Sequence, residues 1–185
     1  MIKSISKGAL WMLMGVAIIS SSCGGRNSQT NSESESLITY VNRLIGAALC
    51  GWFHFAPGAL PFGLAKPASA TNASLGNKGG WEATGYDYRD TSIEGFPCLH
   101  EFQVGGIVLM PTTGELKTVP GAVNSNGEGY RSEFDHKDEI ARPGYYSVLL
   151  KDYQVKAELT ATKRVAYQRF TFPEGKQSHI LFDIG

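Results

Sequence analysis

The run "FDHKDEIARPG", Phe134 to Gly144, sets five ionisable side chains in five consecutive positions: Asp135, His136, Lys137, Asp138 and Glu139. An imidazole beside a carboxylate is a minimal set for moving a proton, so this run is the first candidate for chemistry. The alternating signs of Asp135, Lys137 and Asp138 instead favour a solvated turn over a low-dielectric site. Pro143 and Gly144 then redirect the chain into the apolar run "YYSVLL". His136 and Glu139 are placed to brace that turn by hydrogen bonds, and the structural reading of the cluster is preferred.

A second group lies upstream, in "GGWEATGYDYRDTSIEGFPCLHEFQ" (79–103). Here Tyr86, Asp87, Tyr88, Asp90, Glu94, His100, Glu101 and Gln103 are spaced among glycines. Aromatic rings stack on the C–H faces of sugars, while carboxylates and amides take the hydroxyls. Core packing is an equal alternative for Tyr86 and Tyr88. His100 and Glu101 are neighbours, so on an extended chain they point to opposite faces. That argues against a mutarotase-type acid–base pair.

The elements that must hold these groups read as β-structure. "GIVLMP" (106–111) is a short aliphatic run, as expected of a buried strand. "YYSVLLKDY" is strand-like. Val155, Ala157, Leu159 and Ala161 alternate with Lys156, Glu158 and Thr160, the period-2 pattern of half-buried antiparallel strands. Val165 and Tyr167 extend that pattern, with Phe170 as a further candidate. "PEG" (173–175) reads as a turn and "SHILFDIG" as another strand. Strands at this spacing predict an all-β, antiparallel β-sandwich with no long helix and no internal repeat. A short strand is expected near Thr39–Val41. The following apolar stretch is punctuated by Gly46, Gly51, Pro57, Gly58, Pro61 and Gly63 and reads as a long loop. Its Trp52, Phe53, His54 and Phe55 require a packing partner, within the core or in a neighbouring domain. The pattern still reads as a sheet in progress at Gly185, as expected of part of a longer protein.

Bulk composition narrows the class. The chain has 185 residues, with Lys+Arg and Asp+Glu both 17, and lacks a basic patch, which argues against nucleic acid as a partner. Lys3 and Lys7 precede the apolar run "ALWMLMGVAII", and "SSSC" then sets Cys23 directly after small residues. This resembles a bacterial lipoprotein signal, with cleavage before Cys23 and lipid on its sulfur. Residues 1–22 read as signal peptide, and residues 23–36 as the lipidated Cys with a polar, flexible tether. Residues 37–185 read as one domain. Loss of Lys3 and Lys7 would leave the mature chain two charges negative. Export permits a disulfide between Cys50 and Cys98, but sequence alone leaves that pairing open, and no spacing suggests zinc.

Seven runs in order, "YVNRLIG", "PGALPFG", "GYDYRDTSIEGF", "LMPTTG", "YRSEFDHKDEIARPGYYSVLL", "VKAELTATKRVAYQRFTFP" and "HILFDIG", resemble the N-terminal domain of glycoside hydrolase family 92, exported bacterial α-mannosidases. The resemblance implies a galactose-mutarotase-like β-sandwich that partners a C-terminal α/α toroid of the same enzyme. It implies mannose-containing glycans as substrate, inverting hydrolysis, calcium as cofactor, and a catalytic acid and base on the toroid. It places Trp81, Tyr86, Tyr88, Asp90 and His100 in the family's substrate-facing frame, with Trp81 as a stacking wall and His100 as a hydroxyl ligand. This sequence departs from the family pattern at Cys98, where a second histidine is common, and in "EFQVGG" and "AALCGWFHFA". Two other readings compete: a lipid-anchored, non-catalytic carbohydrate-binding sandwich, and a non-functional truncation. The expected location is the periplasm or cell surface, on a membrane anchor.

Overall fold

Strand formation is clearest where apolar and polar residues alternate. In the computed structural model, which describes residues 36–48, 56–72, 85–100, 104–123 and 127–184, the alternating run 155–161 is a strand. Val155, Ala157, Leu159 and Ala161 are buried there, while Lys156 and Thr160 are exposed. Glu158 lies on the polar side but is covered by its own partners. It accepts from the Tyr145 hydroxyl at 2.7 Å and pairs with Arg169 at 2.7 Å and Lys156 at 3.3 Å.

The strands in chain order are β1 (Ser92–Ile93), β2 (Leu99–His100), β3 (Val104–Gly105), β4 (Val108–Thr113), β5 (Ser132–Glu133), β6 (Ile140–Arg142), β7 (Tyr145–Leu150), β8 (Val155–Ala161), β9 (Ala166–Thr171) and β10 (Ser178–Asp183). Strands β6 to β9 form a four-stranded antiparallel sheet in sequence order. Its first hairpin turns at Pro143–Gly144, where Gly144 takes φ of 76°, a conformation glycine adopts without steric cost. Opposite lies a layer built from the antiparallel pairs β4–β10 and β1–β5. Bridges from Phe96 to Leu109 and from Ala70 to Gly95 extend it. A third short pair, β2–β3, carries His100 opposite Val104.

The core holds Ile93, Phe96, Met110, Tyr130 and Phe134 together with Tyr146, Val148, Leu150, Val155, Ala157 and Leu159. The Phe96 and Phe170 rings meet at 5.7 Å. The fold is thus an antiparallel β-sandwich with no α-helix among the described residues, as the strand spacing predicts.

Two local expectations are corrected. Leu37–Tyr40 is a 3-10 turn, not a strand near Thr39–Val41. The Ser36 carbonyl accepts from both the amide and the hydroxyl of Thr39, at 2.9 and 2.8 Å, and that local closure replaces ladder pairing. Val165 and Tyr167 point outward, at 49% and 55% exposure. The register Ala161↔Ala166, Leu159↔Gln168 and Ala157↔Phe170 sets the even-numbered positions of β9 against the inner face of β8. The loop between β8 and β9 fixes that register, so the parity of one strand does not carry into the next. Gln168 therefore faces inward, donating to the Phe96 carbonyl at 3.0 Å and to Cys98 Sγ at 3.2 Å.

Candidate functional site

Segment 85–90 is tied to the scaffold at both ends. The Gly85 carbonyl accepts from Thr71 N at 2.6 Å, and Tyr88 N donates to the Ala47 carbonyl at 2.9 Å. Between them Asp87 orders the turn. It accepts from the Arg89 amide at 2.8 Å and from the Arg89 guanidinium at 2.9 and 2.6 Å. Asp90 is half-buried, and its amide donates to the Asp87 carbonyl at 3.0 Å.

Beneath this segment sits Glu139, whose side chain has no exposed surface. Its Oε1 accepts from the hydroxyls of Tyr86 at 2.9 Å and Tyr146 at 2.7 Å. Its Oε2 meets His136 Nδ1 at 2.5 Å. Burial, and then the Glu139 carboxylate, push the pKa of both tyrosines well above the usual phenol range, so both remain donors. The Ser69 hydroxyl donates in turn to the Tyr146 oxygen at 2.8 Å. His136 Nε2 contacts the Tyr88 carbonyl oxygen at 2.7 Å. Both ring nitrogens thus face acceptors, and both bonds form together only when each nitrogen carries a proton. The His136 ring also stacks on Tyr88 at 3.8 Å and 14°, with Phe134 edge-on at 5.0 Å.

This geometry answers the question raised by "FDHKDEIARPG". Asp135 caps the 3-10 turn His136–Asp138 through the Lys137 amide, and that bond holds its carboxyl below the usual range. Both Glu139 oxygens are engaged and buried, so it cannot reach a substrate. His136 and Glu139 together brace the 85–90 segment.

The anticipated site residues separate. Tyr86 is 2% exposed and packs inward. Tyr88, 37% exposed, presents one ring face to His136 and an edge to solvent. His100 is fully buried on β2. Trp81, Cys23, Cys50 and the run Trp52 to Phe55 lie outside the described residues. Cys98 carries a free thiol whose acidity burial lowers, partly offset by the Gln168 contact. Among the described residues no group of three or more carboxylate, imidazole or thiol side chains gathers to hold a metal ion.

Sequence reasoning missed Tyr146, Ser69 and Arg131. Arg131 is buried and binds Glu94 at 2.9 Å, Ser92 Oγ at 3.0 Å and the Thr71 carbonyl. It thereby ties β1 and β5 to Thr71, whose hydroxyl accepts from the Asp87 amide at 3.0 Å. An inward Tyr at position 146 of an alternating strand was the available signal, because a buried phenol needs a hydrogen-bond partner.

Residues 40–185 match the glycosyl hydrolase family 92 N-terminal domain. The chain belongs to glycosyl hydrolase family 92. It is similar to the structure of a family 92 α-mannosidase from Bacteroides thetaiotaomicron in complex with mannoimidazole. Sequence identity is 34% and the TM-score 0.72, over 81% of this chain and 20% of that one. A family 92 inverting mannosidase from Bacteroides thetaiotaomicron VPI-5482 shares 27% identity with a TM-score of 0.64, over 80% of this chain and 19% of its own. No curated protein gives a significant match. The family 92 domain described here therefore spans about a fifth of the length of the structures it resembles.

Proposed function

We propose that this domain forms one wall of the substrate cleft of an exported family 92 α-mannosidase, which hydrolyses terminal mannose from glycans. The observation that carries the reading is the 34% identity, over 81% of this chain, to an α-mannosidase solved with mannoimidazole. The braced 85–90 segment supports it. A sugar-facing wall must hold its groups within a narrow tolerance, and buried hydrogen-bonded support does this.

In an inverting glycosidase one carboxylic acid protonates the leaving oxygen and a second carboxylate activates water, the two standing roughly 6.5–9.5 Å apart. In this proposal both belong to a C-terminal domain of the same enzyme. Calcium, if the enzyme requires it, is held by residues beyond those described here. The family 92 domain itself supplies orientation: Tyr88 and Asp90 at the mouth, and Trp81 as the further residue proposed to meet the sugar, whereas His100, fully buried, is placed to support the wall from within and not to bind a hydroxyl. Export and membrane attachment through Cys23 belong to the same reading and rest on residues 1–23 alone.

Chemical-shift mapping of the isotope-labelled chain with methyl α-mannoside tests the wall. Shifts should concentrate on segment 85–90 and its neighbours, and methyl galactoside should leave them in place. Equal responses to both sugars, or shifts confined to the far side of the sandwich, would overturn it.

A further inference from the structure

Strand β4 ends at Thr113, and Gly114 turns the chain away with φ of 81°. The loop that follows folds back on itself before β5. Tyr130 N donates to the Val119 carbonyl at 2.8 Å, and Arg131 N to the Pro120 carbonyl at 3.2 Å. Gly129 passes so close to Pro120 and Gly121 that a Cβ would collide with their backbone. Lys117 Nζ reaches across the loop and donates to the Gly127 carbonyl at 2.7 Å. The loop is thus pinned at its base and again at Lys117.

The turn between β7 and β8 is held as firmly. Asp152 N donates to the Ser132 hydroxyl at 3.2 Å, and Asp152 Oδ2 accepts from Glu133 N at 2.9 Å. Tyr153 is buried, its hydroxyl donating to the Tyr130 carbonyl at 3.0 Å. Its own carbonyl accepts from the Thr113 hydroxyl at 3.2 Å. Loop and turn border a cavity of about 320 Å³, lined among the described residues by Thr113, Glu115, Lys117, Asp152 and Tyr153. Arg131 also borders it, but its guanidinium is committed to Glu94, Ser92 and Thr71. Small-molecule pockets run from ~300 to ~1,000 Å³, so this one has room for a single ring. None of its lining residues belongs to segment 85–90 or to the Glu139 brace.

Charge selects the class of ligand. Glu115 and Asp152 bring carboxylates to the cavity, and Lys117 an ammonium that keeps two protons after its bond to Gly127. An anion would be set against both carboxylates. A divalent cation would be set against the ammonium, and calcium takes roughly six to eight oxygen ligands. A neutral molecule that both gives and takes hydrogen bonds suits all three side chains. Adjacent ring hydroxyls do this, each O–H donating to a carboxylate while its oxygen accepts from the ammonium. We propose that this cavity is a sugar-binding pocket in its own right, taking one neutral hexopyranose ring held by Glu115, Lys117 and Asp152. The proposal goes beyond the cleft reading and does not depend on it. Membership of a glycosyl hydrolase family favours a sugar over other polyhydroxy compounds.

The test titrates the full isotope-labelled chain with methyl α-mannoside, methyl α-glucoside and methyl α-galactoside and follows the backbone amide shifts. At least one glycoside should shift the amides of Glu115, Lys117, Gly127 and Asp152 saturably. Glu115 is exposed, so Glu115→Gln should leave the unfolding midpoint unchanged. It should weaken this binding about tenfold, the loss of one hydrogen bond to a charged group. Lys117→Met should weaken it by a similar factor. No saturable shift at these amides with any of the three glycosides would overturn the proposal, as would an affinity that either variant leaves unaltered. A response to inorganic phosphate or to calcium in place of the glycosides would make the cavity an ion site and overturn it too. Shifts here with segment 85–90 silent toward the mannoside count against the cleft reading alone. Shifts on segment 85–90 with these amides silent overturn the pocket alone.

Discussion

His136 and Glu139 meet at 2.5 Å between Nδ1 and Oε2, and the opposite nitrogen of the same ring holds the Tyr88 carbonyl at 2.7 Å. A buried carboxylate is thus connected through one imidazole to the backbone of the segment proposed to face the sugar. Leaving a buried hydrogen-bonding group without its partner costs about 1–3 kcal/mol. Glu139→Ala orphans the Tyr86 and Tyr146 hydroxyls together and should cost about 2–6 kcal/mol. Glu139→Gln keeps an acceptor for the phenols and should cost clearly less. Denaturant unfolding of both variants measures the difference, and equal, small losses would remove Glu139 from the centre of the brace.

Alkaline pH should loosen the domain in a defined direction. Burial raises the pKa of Tyr86, Tyr130, Tyr146 and Tyr153 above the ordinary value of ~10. The unfolded chain releases those protons first. Their contribution is therefore complete below pH ~10 and is lost progressively as pH rises above it. Of the 8 tyrosines in the chain, these should contribute phenolate absorbance only as the circular dichroism of the sheets disappears. Full ionisation of all tyrosines with native dichroism intact would contradict the buried network.

Tyr88 separates fold from function. Its ring is partly exposed and stacks on His136, a contact worth about 0.5–1.5 kcal/mol. Tyr88→Ala should therefore cost little stability, while the intact enzyme should show a several-fold higher KM for mannosides with kcat less affected. Unchanged KM would place the sugar away from this segment.

Gly58→Ala probes the seating of the strip 56–72 on β8. The added Cβ meets the Leu159 carbonyl, which is backbone and cannot swing away. Overpacking of this kind costs about 1–3 kcal/mol, and thermal unfolding should show it. A neutral result would mean that the strip can lift from the sheet.

The sandwich was legible because its determinants are local. Alternation in 155–161 defines β8, and Pro143–Gly144 marks the β6–β7 turn. The bracing role of His136 and Glu139 was also legible, from charges alternating before a turn. Their partners were not. Tyr86 stands 53 positions from Glu139 and Ser69 stands 77 from Tyr146, and such pairings appear only once the two layers close. The parity of β9 was misread for a related reason: its loop, not its own apolar residues, decides which face turns inward. Tyr167 is exposed while Gln168 enters the core and finds the Phe96 carbonyl.

The central claim is that this family 92 domain is the cleft-forming part of a mannosidase. Its most direct test is to capture the native polypeptide from its source cells with an antibody against residues 37–185 and incubate it with an α-mannosidic glycan. The account predicts a polypeptide several times larger than 20.0 kDa that releases mannose and stops doing so when calcium is chelated. A captured polypeptide of that larger size that releases no mannose under any calcium condition would contradict it.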